Sequence, residues 1–194
     1  MTYTPDFWGD DALLVRMQRG WDGGLPEGTP CGNGSLSFNT KKISEWLPQM
    51  VAKYDIRSLA DAGAGDMHWQ RHLRLPLEVE YRPFDLVPRK ARITAWDITK
   101  ERLPECDAIL CRHVLIHFDA PRIERTLELF RRSAKYLFAS QYDSGTHSWR
   151  PFNRMCQYNP TDLRPLLGQP RERCPDADEG GQYLAMFDLQ PENV

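Results

Sequence analysis

Asp61-Ala62-Gly63-Ala64-Gly65-Asp66 is the segment of this chain that is most informative about its fold. It follows a short apolar run, Ile56 to Ala60, and precedes a helix-compatible segment, Met67 to Leu73. The two glycines allow a tight turn and a close approach of a ligand to the backbone, and a helix N-terminus would add free N–H groups with partial positive charge. We therefore predict a strand, a glycine turn and a helix that together hold a small anionic or zwitterionic ligand.

Strand-like and helical patterns alternate along the rest of the chain. Strands are predicted at residues 57–62, 79–85, 92–96, 106–111 and 136–140. Ile43 to Tyr54 has the apolar spacing of an amphipathic helix, with Asn39 or Thr40 as its cap. Pro48 lies inside this helix and predicts a kink or a break near Trp46.

The second half of the chain adds two helices and a hairpin to this pattern. Asp119 is the predicted cap of one helix with Pro121 in its first turn, and residues 161–167 form a short one. Residues 171–174 and 182–189 are strand-like and bracket a glycine turn, which predicts a hairpin. The fold class is therefore α/β: a three-layer Rossmann-like sandwich with a mostly parallel seven-stranded sheet and an antiparallel C-terminal hairpin.

Length and composition predict one domain with an N-terminal extension. The 194 residues fit a single core. Residues 1–39 are rich in Gly, Pro and Trp without periodicity, which is typical of a lid or wrapping arm. Residues 40–194 would form the core. The sequence has no apolar run of the ~20 residues that a membrane span needs and no signal-peptide layout at its start, so we expect a cytoplasmic protein.

Charge and cysteine content exclude several classes of function. The net charge of −2 provides no overall basic field for nucleic acid. The five cysteines form no CxxC pair, which argues against a zinc ribbon and a disulfide framework, and we expect Cys106 and Cys111 to be buried free thiols. His113 and His117 are four residues apart but lack a third ligand nearby, so no metal site is predicted.

The carboxyl ends of the predicted strands carry a series of acids, and ligands bind at such ends in open α/β sheets. Asp61 could face a cationic amino group, directly or through water. Asp85 lies 20 residues beyond Gly65, the spacing at which an acid meets ribose hydroxyls. Asp97 could accept a hydrogen bond from an exocyclic amine, while an adjacent isoleucine packs on a purine face.

Four motifs, in this order, resemble those of class I S-adenosylmethionine (SAM)-dependent methyltransferases. They are the glycine motif at 59–66, Phe84-Asp85-Leu86, Trp96-Asp97-Ile98, and the run 106–118, which is similar to a "D-x-I/V, then VLxHF" signature. The layout also resembles small orphan methyltransferases carried by bacteriophages. The resemblance covers residues 40–190.

This resemblance implies that SAM is the cofactor, that no metal is needed, and that catalysis rests on positioning donor and acceptor away from water. The implied cofactor-binding residues are Asp61, Gly63, Gly65, Asp66, Asp85, Leu86, Asp97, Ile98, Cys111 and Arg112. His113 follows the fourth strand and could be a general base, or a structural histidine bonded to a loop. The acids and glycines could likewise be plain caps and turns.

The methyl acceptor is the least determined part of the sequence analysis. Nucleic acid, in particular phage DNA in a host cytoplasm, is slightly favoured, because Arg131, Arg132 and Lys135 are basic and residues 149–154 interleave aromatic and basic side chains. Two features argue against this acceptor: the fourth strand lacks an Asp/Asn/Ser-Pro-Pro-aromatic motif, and no target-recognition domain is present.

Several alternatives remain open at this point. The acceptor could be a small molecule or a protein. The chain could instead be a nicotinamide-dependent oxidoreductase, although the segment from Gly63 to His68 lacks the third glycine of that fingerprint. A non-catalytic SAM-binding protein is a third possibility.

Overall fold

The computed structural model describes residues 27–143, 160–176 and 181–190. Its strands are β1 (Ser58–Ala62), β2 (Glu80–Asp85), β3 (Thr94–Ala95), β4 (Ala108–Cys111), β5 (Tyr136–Tyr142), β6 (Glu172–Pro175) and β7 (Gln182–Asp188). Its α-helices are α1 (Ser37–Lys53), α2 (Ala120–Arg131) and α3 (Arg164–Leu167), and single 3₁₀ turns lie at Asn33–Ser35, Gln70–His72 and Leu115–His117.

The strands form one seven-stranded sheet in the order β3-β2-β1-β4-β5-β7-β6. The pairs β1–β2, β1–β4, β2–β3 and β4–β5 are parallel, whereas β7 is antiparallel to both β5 and β6. The predicted mostly parallel sheet with an antiparallel C-terminal hairpin is therefore confirmed. Its centre is β1 and β4, whose carboxyl ends are adjacent.

Alternate side chains of the central strands enter two separate cores, one on each face of the sheet. One face carries Ala60, Ala62 and Ile109 and packs on α2. The opposite face carries Leu59 and Leu110 and packs on α1. Both cores are built from almost completely buried side chains, and each of the large ones, such as Ile109 and Leu110, stabilises the fold by about 1.5–3 kcal/mol. The strand ends are thus held rigidly from both sides.

The first helix differs from its prediction at both its start and its middle. It begins at Ser37 rather than at Asn39 or Thr40, and its N-cap residue makes no side-chain cap bond. The carboxylate of Glu27, outside the helix, accepts a hydrogen bond from the Ser37 N–H at 3.0 Å and so caps the start of the helix. Of the two outcomes predicted near Trp46, a kink or a break, the break does not occur: the helix continues through Pro48, because buried apolar side chains hold it on both sides of the proline.

The second helix has the predicted cap, and the third is shorter than predicted. The Asp119 carboxylate accepts a hydrogen bond from the Arg122 N–H at 3.0 Å, with Pro121 in the first turn. The third helix covers only Arg164–Leu167 and ends at Gly168, whose φ is 78°. In the part of the chain that the structure describes, no helix is long and apolar enough to span a bilayer.

Candidate active site

The carboxyl ends of β1, β2, β3 and β4 border one cleft. Among its lining residues are nine of those predicted from the sequence: Gly63, Gly65, Asp66, Asp85, Leu86, Asp97, Ile98, Arg112 and His113. Two predicted cofactor-binding residues, Asp61 and Cys111, do not line it. The Cys111 side chain is 1% exposed and belongs to the core on the α2 face, because β4 turns that side chain inward at the point where the strand ends.

The glycine loop has the backbone that its sequence predicts. Gly63 and Gly65 have φ values of 98° and 62°, a region that L side chains rarely adopt. The N–H groups of Gly63 and Ala64 both donate to the Phe84 carbonyl, at 2.9 and 3.0 Å, and so fasten the loop to β2. A side chain at residue 63 would also overlap Val114, whose Cγ2 lies 2.2 Å from the position of an added Cβ.

The glycine loop does not open a regular helix, and the prediction of a helix over Met67 to Leu73 is wrong. Met67 has a left-handed backbone with φ 55°, and only the 3₁₀ turn Gln70–His72 follows. A left-handed residue at this point prevents α-helical hydrogen bonding from starting in the loop. The cleft therefore lacks the helix-dipole contribution that we expected at the glycine loop.

Asp85 connects the end of β2 to the glycine loop. Its Oδ2 accepts a hydrogen bond from the Gly65 N–H and its Oδ1 accepts one from the Val87 N–H, both at 2.8 Å. Burial raises the pKa of this carboxyl above its ordinary value. A carboxylate has about four lone-pair sites, so Asp85 organises the loop and still retains acceptor capacity toward the cleft.

Asp97 forms a local turn at the end of β3. Its Oδ1 accepts hydrogen bonds from the backbone N–H and the hydroxyl of Thr99, at 2.9 and 2.6 Å, and Lys100 Nζ lies 3.0 Å from its Oδ2. Burial acts to raise the pKa of Asp97, but the hydrogen bonds from Thr99 and Lys100 outweigh it and hold the pKa below its ordinary value. Ile98 is buried beside it, whereas Leu86, which also lines the cleft, is 41% exposed.

Asp61 lies beneath the glycine loop, on the α1 face of the sheet. It is 2% exposed, and it accepts hydrogen bonds from the Tyr81 hydroxyl and from Nε2 of Gln70, the latter at 2.9 Å. Burial raises the pKa of this carboxyl to about 6, although both hydrogen bonds act in the opposite direction. Its connection to the cleft passes through Gln70, which lines the cleft and which the sequence analysis missed.

The end of β4 is held by a buried ion pair that the sequence analysis also missed. Nε and one terminal nitrogen of Arg112 donate to the two oxygens of Asp176, at 2.9 and 2.6 Å, and Asp176 is 0% exposed. The same guanidinium donates to the Gly34 carbonyl at 2.8 Å and stacks over the Trp69 ring. Burial acts to raise the pKa of Asp176, but the charge of Arg112 outweighs it and holds the pKa far below its ordinary value.

His113 is tied to the same cluster. Its Nε2 lies 3.3 Å from Asp176 Oδ2 and contacts the Gln182 side-chain amide, and its backbone N–H donates to the Ser140 hydroxyl at 2.9 Å. Its φ of 56° is unusual for a residue with a side chain. Burial, followed by the charge of Arg112, lowers the pKa of the imidazole, so the ring is neutral near pH 7.

The described part of the N-terminal extension packs against the cleft. Cys31 and Ser35 line it, and the Cys31 sulfur accepts a hydrogen bond from the Asp66 N–H at 3.2 Å. Burial raises the pKa of that thiol to about 12, so it stays protonated. Gly34 lies against the Nδ1–Cε1 edge of the His113 imidazole, where an added Cβ would come 2.4 Å from Nδ1. Residues 29–35 therefore close one wall of the cleft.

The basic residues that favoured nucleic acid are not beside this cleft. Arg131, Arg132 and Lys135 connect the end of α2 to the start of β5, and the Lys135 N–H donates to the carbonyl of Asp107, just before β4. These residues therefore lie at the amino ends of β4 and β5, whereas the cleft lies at the carboxyl ends of the strands. The aromatic and basic stretch at 149–154 lies outside the described residues. Within the described ranges, no cluster of three His, Cys, Asp or Glu residues could hold a metal ion.

Comparison with known proteins finds likeness in structure alone. No family model matches the sequence, and no curated protein matches it. The magnesium protoporphyrin IX methyltransferase ChlM from Synechocystis PCC 6803, with bound SAM, is 12% identical, with a TM-score of 0.58 over 97% of this chain and 98% of that chain.

The N-methyltransferase NodS from Bradyrhizobium japonicum WM9, in complex with S-adenosyl-L-homocysteine (SAH), is 14% identical, with a TM-score of 0.62 over 92% of this chain and 98% of that chain. The methyltransferase domain of bacterial CtHen1-CN is 11% identical, with a TM-score of 0.53 over 77% of this chain and 98% of that chain. At these identities the likeness shows the fold, and the chain therefore has the Rossmann-like fold of class I SAM-dependent methyltransferases.

Proposed function

We propose that this protein is a SAM-dependent methyltransferase that binds SAM across the four strand ends of the cleft. One observation carries the proposal. The sheet order β3-β2-β1-β4 arranges Asp97, Asp85, the glycine loop and His113 in a row along a single cleft. Neighbouring strands are about 4.8 Å apart, so the row spans roughly 15 Å, the scale of an extended nucleoside with an amino-acid tail.

The residues present fit the parts of SAM in the same order. Asp97 with Ile98 and the exposed Leu86 form a site for adenine, with one acceptor and two apolar surfaces. Asp85 offers free acceptor capacity to the ribose hydroxyls. The neighbouring Gly65 has no side chain, so a ligand can approach the backbone there closely. The buried Oε1 of Gln70, beside the glycine loop, has no hydrogen-bond partner among the residues that the structure describes, and it is an acceptor at the position of the methionine end. When bound, SAM supplies a sulfonium methyl group that is open to in-line displacement.

The chain's own contribution to transfer is positioning. The rigid strand ends fix the donor, and residues 29–35 close one wall against water. His113 is neutral near pH 7, as a general base must be, but its Nε2 is already engaged by Asp176 and Gln182, and Gly34 lies against its other ring nitrogen, Nδ1. Its contacts favour a positioning role for His113 over proton abstraction, and the general-base role stays a prediction.

The geometry argues against the nicotinamide alternative. A dinucleotide places its pyrophosphate on the N-terminus of the helix that follows the glycine turn. Here a left-handed Met67 and one 3₁₀ turn stand in that position, and Asp66 and Asp85 line the same part of the cleft. Two carboxylates and no helix dipole make a poor site for a diphosphate.

For the acceptor, the described residues favour a small molecule. The cleft is closed on the side of residues 29–35. The basic cluster that favoured nucleic acid lies at the amino ends of the strands, away from the cleft at their carboxyl ends. Phe118 and Arg122, whose guanidinium stacks over the Phe118 ring, are also among the described residues that line the cleft, and they suit a flat or anionic small molecule. Nucleic acid, a protein acceptor, a phage origin and a cytoplasmic location stay predictions from the sequence.

The test combines binding with transfer. Calorimetry of the full chain should detect SAM and SAH but not NAD, whereas binding of NAD alone would overturn the proposal. A screen with tritiated-methyl SAM over small-molecule pools, DNA, RNA and protein extracts then identifies the acceptor. Label in the small-molecule pool supports the acceptor argued above, and label in DNA or RNA contradicts it. Binding without transfer to any pool would indicate the non-catalytic alternative.

A further inference from the structure

The side-chain amide of Gln70 is only half satisfied. Its Nε2 donates two hydrogen bonds, to Asp61 Oδ2 at 2.9 Å and to the Ala64 carbonyl at 3.0 Å. Its Oε1 is buried and has no hydrogen-bond partner among the described residues. Gln70 is 8% exposed and lines the cleft. An acceptor buried in this way costs free energy until a donor reaches it, so it calls for a ligand.

The orientation of this amide is fixed by its neighbours. Both groups that Nε2 contacts are acceptors, a carboxylate oxygen and a carbonyl oxygen. Exchanging the oxygen and nitrogen would place three acceptors against one another. The orphaned atom is therefore an oxygen, and its partner must be a donor.

The surroundings favour a donor with positive charge. Asp61 lies directly behind the amide, and Asp66 and Asp85 line the cleft beside it. Arg112 is the cation whose charge acts on Asp61, and that charge is already neutralised by two bonds to Asp176. An ammonium group at Gln70 Oε1 would thus gain a hydrogen bond and a favourable field from three carboxyl groups.

We propose that Gln70 Oε1 accepts a hydrogen bond from the α-ammonium group of the methionine portion of SAM or SAH. Gln70 then touches the ligand, and Asp61 is a positioning residue that acts through Gln70 rather than by contact. This inference rests on the proposed function and deepens it. It also explains why Asp61 lies outside the cleft: its carboxylate holds the amide in the one orientation that presents an acceptor.

The test is a double-mutant cycle between one side chain and one ligand group. Calorimetry measures the affinities of the full-length wild type and Gln70→Met for SAH and for its deamino analogue, in which hydrogen replaces the amino group. A hydrogen bond to a charged group predicts that wild type prefers SAH by about 10- to 100-fold. In Gln70→Met the preference should fall close to unity, while affinity for the deamino analogue changes little.

Control variants separate contact from general damage. Gln49→Met removes an exposed glutamine amide on α1, away from the cleft, and should leave the preference at its wild-type value. Asp61→Asn should reduce the preference for SAH, because the amide loses one of its two anchors. A merely structural role for Asp61 would weaken both ligands equally.

The outcomes distinguish this inference from the proposed function. If wild type binds neither SAH nor its analogue, the proposed function fails. If wild type binds SAH but shows no preference over the analogue, or if Gln70→Met keeps the full preference, the Gln70 inference is overturned while the proposed function stands. The wild-type preference needs no variant, and Gln70→Leu serves as a second substitution if Gln70→Met does not fold.

Discussion

The two sides of the cleft are held together in different ways. The side formed by the glycine loop, Asp85 and Asp97 is organised by shorter-range bonds, such as those between Asp97 and Thr99, two residues apart, and between Gly65 and Asp85, 20 residues apart. The β4 side, Arg112 and His113, is held by Asp176, 64 residues away from Arg112. The first side follows from turn residues and a glycine-to-acid spacing that a sequence displays. The second depends on a distant carboxylate that only the fold brings near.

The largest expected effect tests the long-range side. Asp176→Asn leaves the Arg112 guanidinium buried without its counter-charge, and we expect it to lower the free energy of unfolding by about 3–5 kcal/mol. Chemical denaturation monitored by circular dichroism measures this. Asp188→Asn is the matched control, because its pair with Arg171 is partly exposed and such pairs contribute less than about 1 kcal/mol. If both variants lost the same unfolding free energy, the buried ion pair on the β4 side would contribute no more to stability than a surface pair.

The next effect concerns pH and the carboxyl beneath the glycine loop. Because burial raises the pKa of Asp61 from 3.8 to about 6, the folded protein binds more protons than the unfolded chain between these values. The stability contribution of this group is therefore present below pH ~4 and lost as the pH rises through ~6.

Asp61→Asn removes that titration. The stability of the variant relative to wild type should rise by up to about 3 kcal/mol between pH 4 and pH 7, as measured by denaturation at a series of pH values. A difference that is constant with pH would mean that the Asp61 pKa is not raised.

A third, smaller effect tests the short-range side directly. Asp85→Ala removes two backbone hydrogen bonds and the predicted ribose acceptor, and we expect SAH binding to weaken by about 2 kcal/mol in calorimetry. Asp97→Ala should weaken it by about 1 kcal/mol, because its carboxylate is largely engaged by Thr99 and Lys100. Unchanged affinity in Asp85→Ala would remove that residue from the cofactor site.

The smallest effect separates the cost of an unfavourable backbone conformation from the cost of a steric contact. At Gly65, φ is 62° and an added Cβ would lie only 2.7 Å from the Cys31 sulfur. At Gly28, φ is 70° and an added Cβ would meet no described atom within 4 Å. Gly28→Ala should therefore cost about 1 kcal/mol of unfolding free energy from the backbone alone, and Gly65→Ala about 1 kcal/mol more. Adding Cys31→Ala should recover the difference between them. No recovery would show that residues 29–35 do not pack on the glycine loop.

The sequence alone predicted the sheet, the hairpin, the α2 cap and nine of the residues that border the cleft, because alternation of apolar residues, turn residues and caps are local signals. It did not predict the loss of the helix after the glycine turn, since a left-handed Met67 has no sequence signature. It likewise missed Asp176 and Gln70, whose partners are distant or hidden in the loop. A carboxylate directly after the first hairpin strand, β6, and an amide after a glycine motif are visible in the sequence, but nothing local indicates their targets.

If the four strand ends bind one ligand in the order of the sheet, a crystal structure of the full chain with SAH will show it. We expect adenine beside Asp97 and Ile98, ribose hydroxyls within hydrogen-bond distance of Asp85, and the sulfur between the glycine loop and His113. SAH bound in the opposite direction, or outside this cleft, would overturn the proposed site.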